Sequence, residues 1–186
     1  MQIDKMGENK SKIKVYVDGA NMFYAQKKLG WSFDWVKIKN KIEYEGELIE
    51  CRYYTALKEG DEKMQSYLRY LDAVGFLPIT KPLKKISEGD SFVYKANFDV
   101  EITADILLDK TNIDEIILFS GDSDFQYLLK RLKDAGKKVS IFSSKKTISW
   151  ELKLVASNII YFEKIRELIE RKQNRPDFSE RSVKLH

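Results

Sequence analysis

Acidic residues stand at the ends of the strand-like segments of this chain. Asp18 closes the run KIKVYVD, Asp99 opens a helical stretch (FDVEITAD) that also carries Asp105, and Asp122 and Asp124 follow EIILFS in SGDSDF. Carboxylates brought within a few ångströms of one another raise each other's pKa unless a cation neutralises them. With oxygen ligands alone, the fitting cation is Mg²⁺ or Mn²⁺. Such an ion polarises a phosphoryl oxygen and activates a water, which suits hydrolysis of a phosphodiester with no protein nucleophile. Each acid also has a plainer reading. Asp18 can serve as a turn residue, Asp99 or Asp124 as a helix N-cap, and Asn21 as the cap of the first helix. Asp105 can be exposed, or can support its neighbours without touching metal.

Composition narrows the chemistry from the other side. The only histidine of the 186 residues is His186, so a Ser-His-Asp or Cys-His catalytic system lacks its base. Cys51 is the only cysteine, which removes His/Cys zinc clusters and any internal disulfide and fits a reducing cytoplasm. Hydrophobic content of 43% with 12% aromatics suffices for a sizeable core. No apolar run approaches a membrane span, and the first residues lack the apolar stretch of a signal peptide, so a cytoplasmic protein is expected. The net charge is only +4, yet between Lys130 and Lys146 seven Lys/Arg face a single acid, Asp134. Local basic stretches of this kind are compatible with a polyanion partner or with ordinary solvated helix faces.

The elements that must position the acids follow from pattern. Strands are predicted over Lys12–Val17, Glu47–Ala56, Phe76–Thr80, Glu115–Ser120, Val139–Phe142 and Asn158–Phe162. Helices are predicted over Asn21–Leu29, from Asp34 to Glu43, over Asp61–Val74, Asp99–Lys110, Asp124–Ala135 and Ile148–Val155, with a charged helix from Glu163 to Lys172. Lys81–Lys95 reads as a basic, hairpin-like excursion around Ser87–Asp90. Strands alternating with helices predict an α/β fold whose mainly parallel sheet is covered on both faces. Ligands of such sheets sit at the carboxyl ends of the strands, where the strand order reverses, and the acids follow the strands there. Residues 1–11 read as an N-terminal extension, 12–172 as one domain, and 173–186 as a basic, mobile tail.

VDGAN at 17–21, K-x-x-x-D-V at 95–100 with Asp105 following, and SGDSDF at 120–125 together resemble the NYN domain family of PIN-like nuclease folds. The resemblance runs from Ile13 to Phe162, with Ser149-x-x-Leu152 and the strand after it similar to the closing segment of the family. It implies a three-layer α/β/α sandwich, an aspartate cluster holding Mg²⁺ or Mn²⁺, and cleavage of RNA. Asp18, Asp99, Asp122 and Asp124 match the acidic cluster as catalytic and metal-binding residues. Asp105 would extend the metal site, and Asn21 and Ser120 match positions around it. Two differences stand out: Lys95-Ala96-Asn97-Phe98 replaces a shorter link containing glycine, and Ser157 and Asn158 occupy the region where the closing strand often carries Asp. Rival acid-pair folds match less. Ala20 stands where a haloacid-dehalogenase-like phosphatase has its second Asp, Asp18 where a Toprim domain has Glu, and there is no Walker loop.

The expected topology sorts the basic residues. Lys133, Lys137 and Lys138 fall at the end of the sheet away from the acids. Lys58, Lys145 and Lys146 follow strands towards them, and Lys81, Lys84, Lys85 and Lys95 belong to the excursion before Asp99. Asn21, Ser120, Ser123, Lys58, Lys95 and Lys145 are therefore the substrate-binding candidates, with Tyr94, Phe23 or Trp150 as base-stacking residues or as ordinary core. The expected function is a metal-dependent ribonuclease acting on single-stranded RNA, which can reach a recessed pocket. An RNA-binding adapter with weak or no catalysis is the alternative, and hydrolysis of a small phosphorylated nucleotide is a third. The C-terminal helix and Trp31 offer surfaces for a homodimer.

Overall fold

The computed structural model of the chain describes residues 10–88, 91–95 and 97–172, with the backbone alone over 84–88 and 91–95. The proposed tail, most of the proposed N-terminal extension and the Gly89–Asp90 tip lie outside the described residues.

β1 (Lys12–Asp18) runs through the centre of the main sheet, between β2 (Glu47–Leu57) and β6 (Glu115–Phe119). β3 (Leu77–Pro82) extends the sheet beyond β2, and β7 (Lys138–Ser143) and β8 (Asn158–Tyr161) extend it beyond β6. The order is β3-β2-β1-β6-β7-β8, and every pairing is parallel. The basic excursion forms a separate antiparallel pair, β4 (Lys84–Glu88) and β5 (Ser91–Lys95), with Lys84 opposite Lys95.

Alternation of side chains along the central strands assigns each residue to one of two cores. Ile13, Val15 and Val17 of β1 and Ile117 and Phe119 of β6 point to one face. They pack there against α1 (Gly19–Leu29), α2 (Trp35–Glu45), α3 (Glu62–Val74) and α7 (Arg166–Ile169), through Met22, Ala25, Trp35, Ile38, Ile42, Leu71 and Ile169. This core is largely aromatic. Trp35 lies edge-on to Tyr53 and Phe76, at 5.3 Å from each, and donates its indole N–H to the Tyr67 hydroxyl at 2.7 Å. Tyr16, Ile116 and Leu118 point to the opposite face, where α4 (Asp99–Leu107), α5 (Gln126–Asp134) and α6 (Trp150–Val155) supply Ile102, Ile106, Leu128, Leu129, Leu132 and Leu152. The result is the three-layer α/β/α sandwich. No helix among the described residues is long and apolar enough to cross a membrane.

Local chemistry sets the helix ends. Asp34 caps α2 by accepting from the Val36 and Lys37 N–H groups, and Gly30 and Gly75 end α1 and α3 at φ of 79° and 98°, a backbone region open mainly to glycine. Several expected boundaries shift. α1 begins at Gly19 rather than Asn21 because Asp18 is its cap, and α4 ends at Leu107 rather than Lys110. The Asp124–Ala135 helix is instead a 3-10 turn over Ser123–Phe125 followed by α5. The charged helix expected over Glu163–Lys172 shrinks to a 3-10 turn (Phe162–Lys164) and the single turn of α7. Tertiary contacts override helix propensity there. Ile169 is fully buried beside α2, Glu170 bridges to Phe33, and the Arg171 N–H donates to the Ser32 carbonyl.

Gly19 lets α1 leave the sheet edge at close range. A Cβ there would lie 2.5 Å from the Tyr54 carbonyl oxygen and 2.7 Å from the Tyr53 ring. Gly19→Ala is therefore expected to destabilise the fold by about 1–3 kcal/mol, read as a lower urea midpoint at unchanged slope.

Candidate active site

Strand order reverses at the β1–β6 junction, since β2 and β3 lie on one side of β1 and all later strands of the main sheet on the other. At such a switch point the connections diverge and leave a crevice outside the carboxyl ends of the strands. Asp18, the last residue of β1, and Ser120, the first after β6, meet across it, with the Ser120 hydroxyl donating to Asp18 Oδ2 at 3.2 Å. The same hydroxyl accepts the Asp122 N–H at 3.1 Å. Gly121 is held at both ends of its backbone: its N–H donates to Asn21 Oδ1 at 2.9 Å, and its carbonyl accepts the Ser149 N–H at 2.8 Å. A Cβ on Gly121 would lie 2.5 Å from the Thr147 carbonyl oxygen, so only glycine fits this crossing without a shift.

The pinned loop delivers the acids. Asp122 caps the 3-10 turn by accepting the Asp124 N–H at 3.1 Å, so the cap is Asp122 and not Asp124. Asp99 is the first residue of α4 rather than its cap, and its N–H is held by Asn97 Oδ1 at 2.7 Å. Oxygens of Asp99, Asp122 and Asp124 all lie within 4.8 Å of one another. Asp18 sits deeper beside them at 8% exposure, its Oδ1 accepting the Asn21 N–H at 3.1 Å. Burial, and then the charges of Asp99 and Asp122, outweigh these hydrogen bonds and push its pKa up to about 6. Asp99 is also raised, by burial and by the charges of Asp122 and Asp124, against hydrogen bonding by Asn97 and the charge of Lys81. The donor set is all carboxylate oxygen, and among the described residues Lys81 only partly offsets its negative charge, which fits a hard divalent cation.

Asp105 is not brought into this group. It accepts the Tyr54 hydroxyl at 2.6 Å and lies 2.9 Å from the Arg52 guanidinium. Arg52 and Glu50 are themselves paired at 2.9 Å, Lys14 reaches Glu50 and Asp109, and Tyr16 donates to Asp109. Asp105 thus anchors α4 to β2 and so fixes where Asp99 emerges. Of the two readings the sequence left open for it, this position matches support of its neighbours, and its carboxylate is not grouped with those of Asp99, Asp122 and Asp124.

The remaining candidates divide. Asn21 and Ser120 act on the backbone and on Asp18 as described, while Ser123 is exposed at the start of the 3-10 turn. Lys58 is exposed just past β2, and Lys145 is exposed past β7 with its ammonium 5.8 Å from the Tyr161 ring centre. The side chain of Lys95 lies outside the described residues. Lys137 and Lys138 donate to the Ile113 carbonyl and to Glu115, at the end of β6 opposite the acids. Ser157 and Asn158 prove irrelevant to the acids, because they pair with Val139 and Ser140 at the start of β7. The acid at the functional end of β8 is Glu163, which the sequence placed in a charged helix. It accepts from the Ser144 hydroxyl at 2.8 Å and the Lys145 N–H at 3.0 Å. Burial would raise its pKa, but hydrogen bonds from its own backbone, Ser144 and Lys145 together with the charge of Lys145 win and lower it.

Sequence reasoning also missed Ser143, whose buried hydroxyl flanks Gly121, and Thr147, whose carbonyl does; among the described residues neither buried hydroxyl has a hydrogen-bond partner. The strand-end rule that found Ser120 applies equally to Ser143, at the end of β7.

A sequence profile of the NYN domain matches residues 12–168. The low amplitude and bright protein LabA of Synechococcus elongatus is 34% identical over 172 residues, covering 90% of this chain and 91% of LabA. An uncharacterised protein of Methanocaldococcus jannaschii is 27% identical over 91% of this chain, which spans 63% of that protein. Among solved structures, a protein of unknown function from Vibrio parahaemolyticus superimposes with a TM-score of 0.73 at 28% identity, over 84% of this chain and 95% of that one.

The raised pKa of Asp18 has a definite sign in stability. Between pH 3.8 and about 6 the folded chain keeps a proton that the unfolded chain has released, so this group's contribution falls as pH rises through that window. Asp18→Asn is therefore expected to melt above the wild type near neutral pH in metal-free buffer, by on the order of 2–3 kcal/mol, and the gap should close towards acid. Thermal melts at paired pH values check this. Asp105→Asn is expected to lower stability by about 1 kcal/mol while sparing Mn²⁺ binding, and Asp122→Asn to weaken Mn²⁺ binding while leaving the melt intact. Urea melts and an electron-paramagnetic-resonance Mn²⁺ titration separate the two.

Proposed function

The chain belongs to the NYN domain family, generally a family of ribonucleases with a nuclease-like fold, and from that premise we propose that it is a divalent-metal-dependent ribonuclease. The observation that carries this reading is the convergence of Asp99, Asp122 and Asp124 at the sheet switch point beside buried Asp18. Acids elsewhere on the same face of the sheet are paired with Arg52 and Lys14, whereas among the described residues no ion pair is formed by Asp18, Asp99, Asp122 or Asp124, and only the charge of Lys81 acts against the raised pKa of Asp99.

Asp99, Asp122 and Asp124 would hold Mg²⁺ or Mn²⁺, with Asp18 behind them as a fourth carboxylate. When bound, such an ion polarises a phosphoryl oxygen and promotes attack by water. The chain's own residues set the geometry. Asn21 and Ser149 fix Gly121, Ser120 fixes Asp18 against the Asp122 N–H, and the Tyr54–Asp105–Arg52 contacts fix α4 and hence Asp99. Ser123, Lys58, Lys95 and Lys145 are the proposed phosphate contacts. The only histidine of the chain is its last residue, so protons pass between carboxylates and solvent. The favoured substrate is single-stranded RNA, because Asp18 is buried, Asp99 and Asp122 are half-buried, and a flexible strand reaches recessed acids more readily than a duplex.

Asp122→Asn is expected to lower Mn²⁺-dependent cleavage of an unstructured RNA by about a hundredfold or more while leaving the melt intact. Unchanged cleavage by that variant would sink the site assignment. Retention of RNA in a gel shift without cleavage over a range of divalent metals would favour the adapter reading.

A further inference from the structure

The chain has three tryptophans. Trp35 is enclosed in the aromatic core, whereas Trp150 is 67% exposed. Trp150 opens α6, a helix that buries only Leu152, so the indole contributes little to packing. Its position is nevertheless fixed. The preceding residue, Ser149, donates its N–H to the Gly121 carbonyl, and its hydroxyl accepts the Leu152 N–H at 3.3 Å.

The other side of Gly121 shows the same arrangement. Its N–H is held by Asn21, and Phe23, two residues further along α1, is 40% exposed. α1 buries Gly19, Met22 and Ala25 and leaves Phe23 outside with Tyr24, whose ring meets it edge-on at 5.8 Å. Two exposed aromatic rings therefore stem from the two anchors of one peptide, and that peptide leads into Asp122 and Asp124. Lys145 and Lys146 are exposed on the turn between β7 and Trp150, and Lys146 reaches across to the Lys28 carbonyl of α1 at 3.2 Å.

Exposed rings and exposed lysines, carried on segments anchored to the residue that precedes the acids, match the chemistry of a single nucleic-acid strand, whose bases stack and whose phosphates are anionic. We propose that Trp150 and Phe23 are a base-stacking platform that grips nucleobases next to the scissile phosphate, making unpaired bases a requirement of the substrate. This deepens the ribonuclease reading above and rests on it. Stacking is indifferent to base identity, so the platform selects for unpaired strands rather than for sequence.

The test uses the full chain and an unstructured RNA of about 10 nucleotides, beside an abasic ribose-phosphate oligomer of the same length. Binding is read by anisotropy in Ca²⁺ and cleavage by gel in Mn²⁺. Trp150→Ala is expected to weaken RNA binding about tenfold or more, Trp150→Phe to restore most of it, and Phe23→Ala to weaken it in the same direction. The abasic oligomer should bind the wild type weakly and Trp150→Ala no worse. RNA should quench tryptophan emission in the wild type and lose most of that quenching in Trp150→Phe. RNA bound and cut by Trp150→Ala as by the wild type overturns the platform and leaves the ribonuclease standing. Stacking-dependent binding without cleavage by any form supports the platform and overturns the enzyme. A wild type that neither binds nor cuts RNA overturns both.

Discussion

The site depends on one peptide. Gly121 has its N–H held by Asn21 and its carbonyl held by Ser149, and there is no room for a side chain between them. Those two bonds tie the start of α1, the end of β6 and the turn before α6 to a single point. Asp122 and Asp124 then point where they do because the chain has no slack before them. Asp18 is coupled to the same point through the Ser120 hydroxyl, which also receives the Asp122 N–H. A crevice that the topology would leave open in any such sheet is thereby given a fixed acidic lining.

The electrostatics of the two sheet edges differ by design of the sequence. Along β1 and β2, Lys14 and Arg52 pair with Glu50, Asp105 and Asp109, offsetting two of the three acidic charges, and the hydroxyls of Tyr16 and Tyr54 donate to the two aspartates. At the carboxyl ends, Asp99, Asp122 and Asp124 converge beside Asp18 with their mutual repulsion only partly offset by Lys81, and the pKa values of Asp18 and Asp99 are raised above that of free aspartate. The first network keeps α4 in place and so sets where Asp99 stands relative to Asp122 and Asp124. Repulsion among close carboxylates costs stability locally, and the aromatic core on the other face of the sheet is apolar and free of that cost.

Much of this was legible in the sequence because strand-end acids advertise themselves. Val17-Asp18-Gly19 and Ser120-Gly121-Asp122 follow apolar runs, and the parallel order followed from alternating strands and helices. The illegible parts needed partners distant in the chain. Nothing local to Asp105 shows that Tyr54 and Arg52 stand beside it. Glu163 reads as one more charge on a helix until the turn at Ser144 and Lys145 claims it. The C-terminal segment carries a helical charge pattern, but Phe33 and Ile169 draw it into extended and single-turn forms. Local propensity is a weak guide wherever a long-range contact offers more.

The hydrogen bonds that define the crevice join residues far apart: 102 positions separate Ser120 from Asp18, and 100 separate Gly121 from Asn21. Contacts of that span form only after the entropy of closing the intervening loop has been met, so they belong to the late stages of folding. A nascent or partly folded chain therefore carries its aspartates dispersed, with no concentrated negative pocket. The concentrated negative pocket arises only together with the completed central strand pairing, as one product of the same long-range closure.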